Sequence, residues 1–244
     1  MIAPALILTD VHVDRDGTRI VHGLDATITQ GAWLGVIGAN GSGKTTLLRA
    51  IAGRLPIATG TLLLDGTECA QDRAARAAHI GFAPDGDTLP GLLSGRELFG
   101  LVAGRPVDLT ADDELQSLRA ALDVAAIADL PVATCSAGMR QRLALYCAFA
   151  GGQRIVILDE PYNWLDPLAA FDLRHALRAL VDRGYTLITA LHDLSALPRA
   201  CDTGLLLRDG RVALRIDADQ MRDAARDPDM FERTTIDHLR AWRP

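Results

Sequence analysis

Across 244 residues the chain is 49% hydrophobic and carries 25 basic against 31 acidic side chains, for a formal net charge of -6. That length and composition suit one large α/β domain or a core with a lobe, and the acidic balance offers no basic surplus to nucleic acid. Cysteines at 69, 135, 147 and 201 form no C-x-x-C pair and no metal spacing, the six histidines do not cluster, and no apolar run approaches the ~18 residues of a membrane span. The start Met1-Ile2-Ala3-Pro4 lacks a charged segment followed by an apolar signal core, so a soluble protein with free thiols in a reducing compartment is expected.

Leu6 to Val13, Thr18 to Ile28 and Thr61 to Leu64 are short β-rich runs with turn signals at Asp16-Gly17 and Asp65-Gly66, which predicts an antiparallel layer. Trp33 to Ile37 is an apolar strand that runs into a Gly-rich loop, after which Leu47, Leu48, Ile51 and Ala52 recur at helical spacing. Arg54 to Gly60 is a loop, Ile80 to Ala83 a short strand ending at Pro84, and Asp85 to Pro90 a second loop rich in Gly, Pro and Asp. From Ser94 the pattern turns helical. Ser94 with Glu97 makes a capping box, Leu98, Leu101 and Val102 follow, and a second helix is predicted from Thr110 towards Leu122. Residues 91–150 are therefore a helical insertion. Strand character returns at Arg154 to Leu158, then a helix at Leu168 to Arg183 closed by Gly184, a strand at Thr186 to Ala190, a helix near Leu194, a hairpin through Asp209-Gly210 and a helical tail from Ala218. Strands alternating with helices behind a Gly-rich loop predict an α/β fold with a mainly parallel sheet and a ligand at the strands' carboxyl ends.

Gly38 to Thr45 fits G-x-x-x-x-G-K-[ST], in which successive backbone N–H groups converge on anionic oxygens and the next helix presents the positive end of its dipole. Lys44 is then placed to reach the β- and γ-phosphates of a nucleotide and Thr45 to offer its hydroxyl to Mg²⁺, with Gly38, Asn40, Gly41, Ser42, Gly43 and Thr46 completing the cradle. Lys44 is also the sole lysine among the 25 basic residues. A site that needs a compact ammonium rather than a planar fork accounts for that one departure from arginine. Ile155 to Leu158 is an apolar run that ends in Asp159-Glu160. Asp159 suits Mg²⁺ through water, and Glu160 can orient and deprotonate a water aimed at the γ-phosphate. His192, just past the Thr186 to Ala190 strand, is read as a γ-phosphate contact. Ser136, Ala137 and Gly138 open a helix that runs apolar from Leu143 to Ala150; Ser136 is a good N-cap, and a small-residue turn at a helix start is an anion site. Each feature has a plain structural alternative: a chance Gly-rich turn, a strand end, a structural histidine, a capped helix. Their order along one chain favours the nucleotide.

With these pieces in sequence, the chain resembles the ATP-binding-cassette ATPases, specifically the nucleotide-binding subunit of an ABC transporter, from about Leu6 to Val212. The resemblance implies a P-loop NTPase with an ABC-type core, an N-terminal antiparallel β layer and a helical subdomain at about 91–150, all one domain over 1–244 with a C-terminal helical tail from about 217. It puts Ser136 to Gln141 on the signature region, Asn163 to Asp166 on the D-loop and His192 on the switch histidine. It implies a head-to-tail dimer, taken as a homodimer, in which each ATP lies between one subunit's Lys44 loop and the other's Ser136 and Gly138. The expected ligands are ATP and Mg²⁺. The expected partner is an integral membrane permease on the cytoplasmic face of the cell membrane, with no nucleic acid, and the work done is transport, in the export direction.

The chain departs from the family at several positions. The signature reads Cys135-Ser136-Ala137-Gly138-Met139, with Ala137 where glycine is usual, and Gly138-Met139 with Gln141-Arg142 resembles a branch of exporters with separately encoded membrane subunits. Asp85 stands where the Q-loop has glutamine and is assigned to Mg²⁺ or its water. Arg15 takes the place of the aromatic that stacks on adenine, a role its guanidinium plane can fill. Trp164 fills a D-loop position that is often small. Two other readings compete: a soluble ABC-type ATPase of DNA maintenance or translation, which calls for paired cassettes, a coiled-coil insertion or a basic surface, and a P-loop kinase, which calls for an acceptor pocket and a lid.

Overall fold

The structure is a computed structural model in which residues 3–242 are described. Strands β1 (Pro4–Arg15) and β2 (Thr18–Thr29) form a hairpin whose turn residues Asp16 and Gly17 both take positive φ, the geometry that two-residue hairpin turns require. β3 (Trp33–Ile37) leads through the Gly-rich loop into α1 (Lys44–Ile51), and β4 (Thr59–Leu64) and β5 (Thr67–Glu68) then fold back beside the hairpin. The order β2-β1-β4-β5 is antiparallel throughout. There follow α2 (Arg73–His79), β6 (Ile80–Phe82), α3 (Gly95–Ala103), α4 (Gln116–Ala121), α5 (Val124–Ile127), α6 (Ala137–Ala150), β7 (Ile155–Asp159), α7 (Pro167–Asp182), β8 (Thr186–Leu191), α8 (Leu197–Ala200), β9 (Thr203–Arg208), β10 (Arg211–Ile216), α9 (Ala218–Arg226) and α10 (Pro228–Ala241).

The second sheet has the order β10-β9-β3-β8-β7-β6, parallel except for the β10 edge. Its inner strands β3, β7 and β8 are buried on both faces, which is why they read as continuous apolar runs, whereas the edge strand β10 stays largely half-exposed. Side chains alternate across it, so the sheet divides two cores. Leu34, Val36, Ile155 and Ile157 pack with the antiparallel layer and α1, while Trp33, Ile37, Val156 and Leu158 pack with the helices from α3 to α7. The tryptophan at this junction is fully buried and satisfied, its Nε1 donating to Thr189 Oγ1 at 2.9 Å.

Two elements differ from the sequence reading. The helix predicted from Thr110 begins only at Gln116. The stretch before it is held as turns by side chains that outcompete the helical ladder, Asp108 accepting from Thr110 N–H at 2.8 Å and Asp113 from Leu115 N–H at 2.9 Å. α2 lacks any apolar stripe; Asp72 caps it at Ala75 N–H, and alanine and arginine fill it, all strong helix formers. From α2 the fully buried Arg76 donates to the carbonyls of Ala50 at 3.1 Å, Cys69 at 2.6 Å, Leu55 at 3.3 Å and Ala70. The expected capping box forms: Ser94 N–H donates to Glu97 Oε2 at 2.7 Å and Glu97 N–H to Ser94 Oγ at 3.3 Å.

Candidate functional site

Register decides what the strand ends bring together. Ile37 pairs with Leu191, and Asp159 with Ala190, so β3, β8 and β7 finish level. The chain therefore releases the Gly-rich loop, His192 and Glu160 side by side at the carboxyl edge of the sheet.

The loop is built for close backbone approach. A Cβ on Gly38 would lie 2.4 Å from Leu207 O and 2.4 Å from Ser42 Oγ, and Gly41 and Gly43 sit at φ +80 and +99. These are conformations that glycine tolerates and other residues resist. Lys44 is 5% exposed and donates to Gly38 O at 2.7 Å and Ala39 O at 3.3 Å, a pairing inside its own loop. Burial pushes its ammonium below the ordinary lysine range, with the Glu160 and Asp159 carboxylates pulling the other way. Thr46 is buried behind the loop, Thr45 half-buried, and Asn40 and Gly41 are exposed. Ser42 Oγ is buried without a hydrogen-bond partner among the described residues.

Opposite stands the acidic pair. Burial lifts the Asp159 carboxyl above its usual range, opposed by a hydrogen bond from Thr45 and helped by the Glu160 charge. Its Oδ1 is buried with no partner among the described residues. An orphaned carboxylate oxygen beside a threonine hydroxyl fits a hard divalent cation that keeps waters and phosphate oxygens as its other ligands. Glu160 takes φ +53, a strained conformation of the kind that gathers at functional sites. Its Oε2 accepts from Asn163 Nδ2 at 2.7 Å and lies 2.6 Å from His192 Nε2. His192 is thus engaged with the catalytic candidate rather than standing alone. Asn163, which the resemblance puts on the D-loop, is not among the expected site residues; its contact with Glu160 emerges only in the structure.

Segment 84–88 borders two cavities. One, of about 260 Å³, brings Asp85 together with Thr45, Asp159, Glu160 and Gln141. The other, of about 730 Å³, lies between the sheet and the helical insertion, where Asp85 and Pro84 meet Arg49, Arg54, Leu98 and Leu101. Asp85 accepts Asp87 N–H at 3.0 Å, and Asp87 in turn receives Arg140 Nη2 at 2.8 Å. A Cβ on Gly86 would lie 3.1 Å from the backbone of Arg140 and Gln141, so this turn is pressed against α6.

Ser136 caps α6 by accepting Met139 N–H at 3.3 Å and is exposed. A Cβ on Gly138 would lie 2.9 Å from Trp164 O, which explains glycine there, whereas Ala137 is exposed. Ser136 and Gly138 border neither the 260 Å³ cavity nor the cavity beside Gly38 to Ser42. Arg15 sits at the tip of the β1–β2 hairpin, half-exposed and 3.6 Å from Asp16, and lines none of the cavities that the loop borders.

The sequence pattern of the ABC transporter family matches residues 21–163, more than half the chain. The chain belongs to the ABC transporter family. It is an ATP-binding subunit of that family, an ATPase, with the family's P-loop fold. The Nod factor export ATP-binding protein I of Sinorhizobium fredii is 36% identical over 211 residues, covering 85% of this chain and 61% of its own length, so the chain spans less than two thirds of that relative. The hemin import ATP-binding protein HmuV of Pseudomonas fluorescens is 36% identical over 218 residues, covering 84% of each chain. Among solved structures, an ATP-binding subunit of an ABC transporter superposes with a TM-score of 0.80 at 22% identity, covering 96% of this chain and 99% of that one. A dimeric cassette bound to ADP and Pi gives 0.74 at 21%, covering 87% and 98%.

In this ABC subunit the raised Asp159 has a measurable consequence. A carboxyl whose folded pKa lies above its unfolded value favours folding below the unfolded pKa, and that contribution is lost as pH rises through the folded pKa. Asp159→Asn should therefore raise the thermal midpoint of the nucleotide-free protein at pH 7, with the gain vanishing near pH 4, where a free aspartate protonates. A midpoint that falls or stays constant in a pH series would show that Asp159 is not held against its burial.

Proposed function

We propose that this chain is the ATP-hydrolysing motor subunit of an ABC exporter, acting as a homodimer around two ATP on the cytoplasmic face of the cell membrane and driving an integral permease. The observation that carries the reading is the buried Lys44 loop beside the orphaned Asp159 oxygen and the His192–Glu160 contact at 2.6 Å. Gly38, Asn40, Gly41, Ser42, Gly43 and Thr46 would cradle the phosphates, and Lys44 would exchange its two carbonyls for β- and γ-oxygens. Thr45 and Asp159, with Asp85 in the same cavity, would hold Mg²⁺, which when bound neutralises phosphate charge. Glu160 would take the proton of the attacking water while His192 and Asn163 fix its carboxylate.

Ser136, exposed, and Gly138, half-buried, line neither cavity that borders their own chain's Gly-rich loop or Asp159 and are available to a second subunit's ATP, which supports the dimer. The cleft at Leu98, Leu101, Arg49 and Arg54 is the proposed seat of the permease, since Leu101 is 71% exposed there and Asp85 borders both this cleft and the Mg²⁺ candidate. Among the described residues no helix is long and apolar enough to cross a membrane, so the translocation path would belong to that partner. The two 36% relatives bear export and import names, and the choice of export rests on Gly138-Met139 with Gln141-Arg142.

Complementation tests the shared site. Lys44→Ala and Ser136→Arg should each abolish turnover alone. Mixed in equal amounts, they should regain about a quarter of parental activity, because half the dimers are mixed and each of those keeps one intact site. No recovery in concentrated protein would sink the shared-site arrangement.

A further inference from the structure

The Gly-rich loop has a neighbour to which the nucleotide reading gives no task. A cavity of about 720 Å³ is walled on one side by Gly38 to Ser42 and His192, and on the other by Glu232, Ile236 and Leu239 of α10. α10 is a strap rather than a core helix. Among its described residues Thr235 alone is buried. Asp227 caps its start by accepting Met230 N–H at 3.0 Å. Its far end is tied down by Arg208 donating to Leu239 O and by His238 Nε2 donating to Ala213 O at 3.1 Å. Phe231 and Leu239 rest, partly buried, on the main core.

Three carboxylates border this cavity, and two of them are occupied. Asp193 accepts the N–H and the hydroxyl of Ser195, both at 2.8 Å, and Asp209 lies 3.7 Å from Arg208 Nε. Glu232 is exposed and has no hydrogen bond or ion pair among the described residues. A negative charge is thus held across the cavity from Gly38 to Ser42, while Arg208, the guanidinium that also borders this cavity, is engaged by Asp209 and by Leu239 O. Any phosphate chain entering the cradle meets that field, and a chain with more charge meets it more strongly.

We propose that Glu232 is a specificity-determining residue of the nucleotide site, held over the Gly-rich loop by α10, where its charge disfavours triphosphate relative to diphosphate. The inference rests on the loop binding nucleotide phosphates. It gives α10 a direct part in exchange at the site: ADP is retained more readily than its charge alone would allow, and movement of the strap or neutralisation of Glu232 relieves the bias.

Equilibrium binding of ATP and ADP to the full chain without Mg²⁺, so that hydrolysis does not intervene, tests this. Glu232→Gln should tighten ATP by about three- to tenfold, ADP by less, and Glu232→Lys should tighten both further, the scale of one unit charge across a partly solvated cavity. In about 1 M salt, where the screening length shrinks to about 3 Å, parent and variants should converge. Unchanged or weaker ATP binding in Glu232→Gln, equal changes for the two nucleotides, or a difference that survives high salt would each overturn the proposal. A parent chain that binds neither nucleotide overturns the phosphate-site reading and this inference with it, whereas a parent that binds both with identical variants overturns the inference alone.

Discussion

Glu160→Gln is expected to bind ATP as tightly as the parent and to hydrolyse it about 10²-fold or more slowly, the scale of losing a general base. Glutamine keeps the length and shape of the side chain but lacks the carboxylate that accepts Asn163 Nδ2 at 2.7 Å and faces His192 Nε2 at 2.6 Å. Binding should survive because the phosphate contacts belong to the loop and Lys44, none of which the substitution touches. If Ser136 of a second subunit closes over each ATP, arrested hydrolysis should accumulate an ATP-bound dimer, visible as a doubled mass in size-exclusion chromatography with light scattering. Equilibrium binding and single-turnover rates separate the two effects. Parental turnover in Glu160→Gln would falsify the assignment of the base.

The largest stability effect is expected at Arg76, far from any phosphate. This guanidinium is fully buried and donates to carbonyls from four residues, among them Ala50 in α1. Arg76→Met keeps volume but leaves those carbonyls without donors, a loss of about 3–5 kcal/mol by analogy with breaking a buried charged contact. For a chain of this size that corresponds to a thermal midpoint lower by roughly 6–20 °C. Since Ala50 is part of the helix that follows Lys44, ATP should restore part of the loss through linkage. A change below about 1 kcal/mol would show that the loop carbonyls find water instead.

The nucleotide site was legible in the sequence where its chemistry is local. Gly41 and Gly43 declare positive φ, the runs Trp33 to Ile37 and Ile155 to Leu158 declare buried parallel strands, and Asp159-Glu160 declares a strand that ends in charge. What depends on distant contacts was hidden. The reason for glycine at 138 is the carbonyl of Trp164, and the partner of His192 emerges only once the register aligns β8 with β7. α2 escaped because alanine and arginine give helical propensity without an apolar stripe, and the start of α4 was misjudged because Asp108 and Asp113 claim the backbone first. Nothing in the tail from Ala218 announces that Glu232 will border the loop, since an exposed carboxylate on a polar helix face is what any solvated helix shows.

The turn at 84–88 is a wall common to the two cavities it borders, so a ligand that shifts it from one side reshapes the other. Because Asp85 belongs to both walls and Gly86 is pressed against Arg140, a ligand in either cavity acts on the same few atoms. Reciprocity then holds whatever the details: a docked partner that improves ATP affinity by some factor must itself be gripped more tightly by that factor when ATP is present. Measuring either affinity with and without the other ligand would therefore give the coupling free energy twice, from opposite ends of one small turn.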